Sequence, residues 1–212
     1  MTRYSPDLHH RRSLRLKGYD YTRAGAYFVT VCVQGREGLL GEVAGSEMRP
    51  SAAGAMVRRV WEELPSHYAG VVVDAFSAMP NHIHGIIMLT TDPVGAPPRG
   101  CPVSAHVQGP AQAQGPGQAQ GPAPTERLSL ADVVQRFKSY TTALYVRGVA
   151  QERWPPFPGR LWQRNYYEHI IRSDEELERI REYIRTNPER WALDRENPAA
   201  AQSSKEGAAW QS

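Results

Sequence analysis

The sequence predicts an α+β fold: a ferredoxin-like antiparallel sheet with helices on one face, ordered βαββαβ, plus one further C-terminal helix. Three observations predict it. Segments rich in β-branched and aromatic residues alternate with segments whose apolar residues recur every three to four positions, in that order along the chain. Turn chemistry at Pro80-Asn81 joins two of the strands as a hairpin. Runs of strands and helices in this order pack as helices on an antiparallel sheet.

Each element has its own reason. Residues 27–33 (YFVTVCV) read as the first strand and end at Gln34-Gly35. From Ala53 to Leu64, Met56, Val57, Val60, Trp61 and Leu64 fall on one helical face, and Pro65 is expected to stop that helix. Residues 71–76 (VVVDAF) form a second strand and residues 82–89 a third, with Ile83 and Ile87 facing the core. Ser129, with Asp132 three positions on, caps a helix whose buried face is Leu130, Val133, Val134, Phe137, Tyr140, Thr141 and Leu144. Residues 161–171 supply the fourth strand. Ser173 to Glu176 is a capping box that opens the last helix, with Leu177, Ile180 and Ile184 as its packing stripe and Pro188 to end or kink it.

The 212 residues do not all belong to this domain. Residues 91–127 hold eight Pro and six Gly in 37 positions, and from Gln108 they run QGPAQA, QGPGQA, QGPAPT with a six-residue period. Such a stretch has almost no large side chain to bury against its ordering entropy, so it reads as a flexible insert. Residues 1–23 form a basic arm. Residues 192–212, rich in Ala, Ser and Gln, read as a disordered tail. The domain is thus 24–191 with the insert inside it, and setting aside insert and tail leaves 154 residues, arm included, for one domain with an adequate core.

Composition narrows the class. No apolar run approaches the ~20 residues that span a bilayer, and Met1 to Pro6 lacks the apolar core of a secretory signal. Two cysteines, Cys32 and Cys101, make no disulfide framework. A reducing cytoplasm is the expected location. The net charge is only +3, yet Arg3, Arg11, Arg12, Arg15, Lys17 and Arg23 face only Asp7 and Asp20 within the arm. That arm is either a solvated terminus or a phosphate-binding element. In the second case Arg12, Arg15 and Lys17, with Lys138, Arg160 and Arg164, would form a phosphate track.

Two constellations carry chemistry. In a strand, His82 and His84 project to the same face, roughly 6.6 Å apart along the backbone. They are either a pair of half-buried histidines bonded to the backbone or two ligands of a metal, and two ligands alone do not define a site. On the last helix Tyr183 and Asn187 are four apart and share a face. The tyrosine is either a core-flanking aromatic or a covalent nucleophile, and the Asn is either a helix-end residue or a hard oxygen ligand for Mg²⁺ or Mn²⁺. Tyr166 and Tyr167 are adjacent and point to opposite faces, so one packs in the core and the other is free to stack a base.

The motifs Met79-Pro-Asn-His-Ile-His-Gly85, Leu128-Ser-Leu130 before Phe137-Lys-Ser139, Trp162-Gln163 beside Tyr167-Glu-His-Ile-Ile-Arg172, and Glu182-Tyr-Ile-Arg-Thr-Asn-Pro188 together resemble the single-tyrosine HUH transposases. Among these the chain looks closest to the REP-associated tyrosine transposase branch of the insertion sequence 200/605 type. The resemblance runs from about Leu16 to Trp191, excluding the insert. It implies a ferredoxin-like fold and metal-dependent cleavage and rejoining of single-stranded, hairpin-forming DNA through a 5′-phosphotyrosine. It further implies Tyr183 as nucleophile, His82 and His84 as ligands of Mg²⁺ or Mn²⁺, and Asn187 as a third ligand where related transposases often carry Gln. His169 stands either at the edge of that site or as a structural residue of the fourth strand. The protein would act as a monomer or a homodimer, away from membranes. Two rival readings stay open: a non-catalytic single-stranded nucleic-acid-binding module derived from a transposase, and a metal-dependent phosphoesterase in which Tyr183 only packs.

Overall fold

The computed structural model describes residues 16, 18–91 and 128–200. Arg12, Arg15 and Lys17, most of the 91–127 insert and the end of the tail lie outside the described residues. The elements are β1 (Gly25–Cys32), β2 (Gly41–Ala44), β3 (Glu47–Pro50), α1 (Ala52–His67), β4 (Val71–Met79), β5 (His82–Leu89), α2 (Leu130–Glu152), β6 (Tyr167–Ile171) and α3 (Asp174–Thr186), followed by a 3₁₀ segment, Pro188–Leu193. Four strands form one antiparallel sheet in the order β4-β5-β1-β6, and β2 pairs with β3 as a separate hairpin. The result is a mixed helix and antiparallel-sheet architecture.

The alternation of side chains across each strand divides the molecule into two cores. On one face Tyr27, Val29 and Val31 of β1 and Ile83 and Ile87 of β5 pack under α1 and α2, against Val57, Trp61, Val133 and Phe137. Gly85 lies at the centre of this contact. A Cβ built there would sit 2.3 Å from the Trp61 indole, so the missing side chain is what lets the ring lie on the sheet. On the opposite face Phe28, Ile86 and Ile171 pack under α3 through Ile184, Leu177 and Ile180. Where β4 crosses this second face, its register slips by one residue between Val73 and Phe76. The irregularity falls at Asp74 and Ala75: Ala75 packs with the α3 cluster, and the Asp74 carboxylate takes two hydrogen bonds from Arg181 of α3, at 2.9 and 2.6 Å.

Several expectations are adjusted. Pro65 lies inside α1, which runs two residues further and is closed by the Tyr68 N–H donating to the Leu64 carbonyl. Being in the last turn, the proline removes a bond at the helix end and not in its middle. Tyr140 is exposed, and the α2 stripe continues instead through Thr141, Tyr145 and Gly148. The fourth strand is only Tyr167–Ile171, while Trp162 makes an isolated bridge to Val33. Ser129 and Asp132 form the full reciprocal cap of α2. At α3 only half of the expected box is made: Ser173 accepts from the Glu176 N–H, but the Glu176 carboxylate turns to His169 and to the Arg172 N–H. The β2–β3 hairpin was not anticipated. Of the stretch expected as a tail, residues 192–200 are described, with Asp194 near His82 and the Glu196 carbonyl accepting from Asn81 Nδ2.

Candidate active site

The two-residue turn between β4 and β5 sets the first histidine. Asn81 is buried, and its Nδ2 donates to the Arg36 and Glu196 carbonyls at 3.1 and 2.7 Å, which fixes its amide orientation. Its Oδ1 therefore accepts from His82 Nδ1–H at 2.8 Å, and the proton on Nδ1 leaves a lone pair on His82 Nε2. His84 is placed by β-sheet register opposite Thr30, whose hydroxyl lies 2.8 Å from His84 Nδ1, and by the Phe28 ring stacked on it at 5.4 Å. The two Nε2 atoms converge to 3.0 Å. Burial depresses both histidines, His82 to about 4 and His84 well below its ordinary value, so both are neutral at physiological pH and suited to binding a cation.

The remaining groups come from α3 and the segment after it. Tyr183 reaches over from α3 so that its Oη is 3.4 Å from His84 Nε2, its ring edge-on to Phe28 at 6.0 Å. Burial, reinforced by the nearby Asp194 carboxylate, raises its phenol above the usual value. Asn187 is 1% exposed, its Nδ2 is 3.5 Å from Asp194 Oδ2, and its Oδ1 is buried with no hydrogen-bond partner among the described residues. The 3₁₀ turn after Asn187 carries Asp194 to His82, with Oδ2 3.9 Å from Nε2. The ligand atoms of His82, His84 and Asp194 all lie within 4.8 Å of one another.

This donor set fits a divalent ion. The lone pair on His82 Nε2, His84 Nε2 beside it, the Asp194 carboxylate and the orphaned Asn187 Oδ1 gather nitrogen and oxygen atoms of the kinds that ligate such a cation. The two imidazoles set this group apart from the all-oxygen sites that Mg²⁺ prefers.

His84, Tyr183, Asn187 and Asp194 line an open cleft of about 490 Å³ together with Phe28, Thr30, Tyr167, Arg190, Leu193, Arg195 and Glu196. His82 lies beneath it, fully buried. Of the residues singled out by sequence, His82, His84, Tyr183 and Asn187 are thus brought together. Lys138 is not: its ammonium donates to the Gln163 and Arg164 carbonyls at 2.6 and 3.1 Å, tying α2 to the loop before β6. Arg164 is exposed and does not line this cleft. His169 bonds Glu176 at 2.7 Å, at the far end of α3 from Asn187. Sequence reasoning missed Asp194, Arg190, Arg195 and the orienting role of Asn81. For Asn81 the signal was present, as the polar residue of a two-residue turn directly before the histidine.

No family model matches the chain. It is 35% identical over 195 residues to a Haemophilus influenzae protein described as uncharacterized, covering 91% of this chain and 96% of that one. The chain belongs to the same family as that protein. Among solved structures it is similar to a REP-associated tyrosine transposase bound to a REP hairpin, with 18% identity and a TM-score of 0.43 over 82% of this chain and 72% of that one. It is also similar to a candidate transposase from Deinococcus radiodurans R1, with 16% identity and a TM-score of 0.40 over 81% of this chain and 95% of that one. Neither likeness transfers a role to a residue here. Among the described residues, no helix is long and apolar enough to cross a membrane.

Proposed function

We propose that the protein is a metal-dependent transposase that cleaves and rejoins single-stranded DNA at hairpin-associated sites through a 5′-phosphotyrosine on Tyr183. The fold in this reading is ferredoxin-like, and the antiparallel order β4-β5-β1-β6 supports it. The observation that carries the chemistry is the Tyr183 hydroxyl 3.4 Å from His84 Nε2, at a cleft that also holds Asp194 and the orphaned Asn187 oxygen. A phosphoesterase using water would not need a tyrosine held against the ligand cluster.

His82, His84 and Asp194 would hold the divalent ion, with Asn187 Oδ1 as a fourth donor. Bound there, the ion supplies Lewis-acid polarisation of a phosphate oxygen. The protein's own groups do the rest. Phe28 and His84 fix the Tyr183 ring, so the phenol oxygen is presented to a phosphate without a search through rotamers. Arg190 and Arg195 at the cleft rim draw in the phosphodiester backbone. The Tyr183 Oη–P bond forms as the P–O3′ bond breaks; Oη loses its proton and the departing 3′ oxygen gains one. Attack by a 3′ hydroxyl on the phosphotyrosine then reverses the bond changes and rejoins a strand with no outside energy source. The raised phenol means that loss of the proton is tied to attack and does not precede it at neutral pH.

The test is a covalent one. Incubated with a pool of hairpin-bearing single strands and Mn²⁺, the protein should yield a DNA adduct on a denaturing gel. Tyr183→Phe should bind the same strands and form none. An adduct on the Phe variant, or its absence from the wild type, refutes the reading.

A further inference from the structure

Beside the site lies a second cleft of about 370 Å³, lined by Phe28, Tyr167, His169, Glu176, Arg179 and Ile180. It shares Phe28 and Tyr167 with the first cleft, so the two form one trough along the β6 edge with the Tyr167 side chain between them. Tyr167 is 38% exposed and stands edge-on to Phe28 at 6.3 Å, while its neighbour Tyr166 packs against the main core. Tyr183 stands edge-on to the same Phe28 ring at 6.0 Å. The phenol that would attack and the phenol on the sheet edge are therefore separated by a single ring.

The chemistry of the second cleft is not that of a phosphate site. Both Glu176 oxygens are committed, one to His169 Nε2–H at 2.7 Å and the other to the Arg172 N–H at 2.8 Å. That leaves an aromatic and aliphatic floor of Phe28 and Ile180, the planar side chains of Tyr167 and His169, and the Arg179 guanidinium. Planar, partly apolar walls with one cation accept the face of a nucleobase, because every base has a π-face and stacks on aromatic and guanidinium planes without regard to sequence. We infer that this second cleft is a base-binding subsite: it takes the unpaired nucleobase next to the scissile phosphate, stacked on Tyr167, and so sets where along the strand Tyr183 attacks. The inference rests on the reading of the first cleft as a single-strand cleavage site. Tyr167 would be a positioning residue, acting on register and not on bond breaking.

The experiment measures binding of two labelled 12-mers, an oligothymidylate and the same backbone made entirely of abasic sites, to the full chain by fluorescence anisotropy. Comparing them isolates the bases from the phosphates. Tyr167→Ala should lose about tenfold or more affinity for the oligothymidylate and none for the abasic strand, and Tyr167→Phe should keep wild-type affinity for both. Equal losses on both strands, no loss on either, or no preference of the wild type for the strand with bases would overturn the subsite. The adduct assay on the same preparations separates this from the parent reading. An adduct without base-dependent coupling at Tyr167 removes the subsite alone, whereas coupling without an adduct keeps a base-binding cleft and removes the cleavage chemistry.

Discussion

Asn81 shows how much of the candidate site depends on a residue that would never touch an ion. Its two donated bonds fix its own amide, and its oxygen fixes the His82 tautomer. Asn81→Ala should weaken Mn²⁺ binding by about 10–100-fold, the usual cost of removing an outer partner of a ligating histidine; isothermal titration checks it, and unchanged affinity would show that His82 is held by other means. His82 and His84 were legible because a strand has period two, and Tyr183 and Asn187 because a helix places i and i+4 together. Asp194 was not legible. It follows Asn187 by seven residues through a 3₁₀ turn, and no periodicity in the sequence announces that the chain doubles back there. The carbonyl acceptors of Lys138 were not legible either: a lone lysine on a helix looks solvated until they are seen, and burial lowers its value.

At the scale of elements, the two faces of the sheet are held by different means. The α1–α2 face depends on close packing at Gly85, so Gly85→Ala should force Trp61 off the sheet and destabilise the fold by about 1–3 kcal/mol, read as a lower denaturant midpoint with an unchanged slope. The α3 face has a smaller apolar cluster and adds the Asp74–Arg181 pair. Hydrogen bonds from Arg181 hold the Asp74 carboxyl below its ordinary value. The stability this pair contributes is therefore complete above the ordinary carboxylate range and is lost only as pH falls below it, through the depressed folded value. Asp74→Asn and Arg181→Met should each lower the melting temperature at pH 7, with the double variant falling no further than the worse single one; additive losses would show that the two residues act apart. The strands and helices were legible where apolar periodicity was long. The β2–β3 hairpin was not, since Gly41 to Pro50 has only Val43 and Met48 as large apolar residues and no alternating run. The irregularity at Asp74 and Ala75 was equally silent, because a one-residue slip in pairing depends on the partner strand.

For the whole molecule, the order of segments along the chain decides what can vary. The histidines lie before the Gln-Gly-Pro repeat and the tyrosine after it, yet both meet across the sheet. Replacing residues 95–124 with a few glycines should leave both the melting temperature and adduct formation unchanged; lost activity with the fold intact would assign the repeat a role. The described domain otherwise falls into two contributions to one site. The sheet supplies His82 and His84, while a single stretch from Tyr183 to Glu196 supplies the tyrosine, Asn187, Asp194 and the carbonyl that steadies Asn81. An ion bridging the two would favour the docked arrangement by its own binding free energy. Tyr183, Asn187 and Asp194 would then leave or arrive together, so a loosened copy would keep only the two histidines and could not present the phenol without the carboxylate.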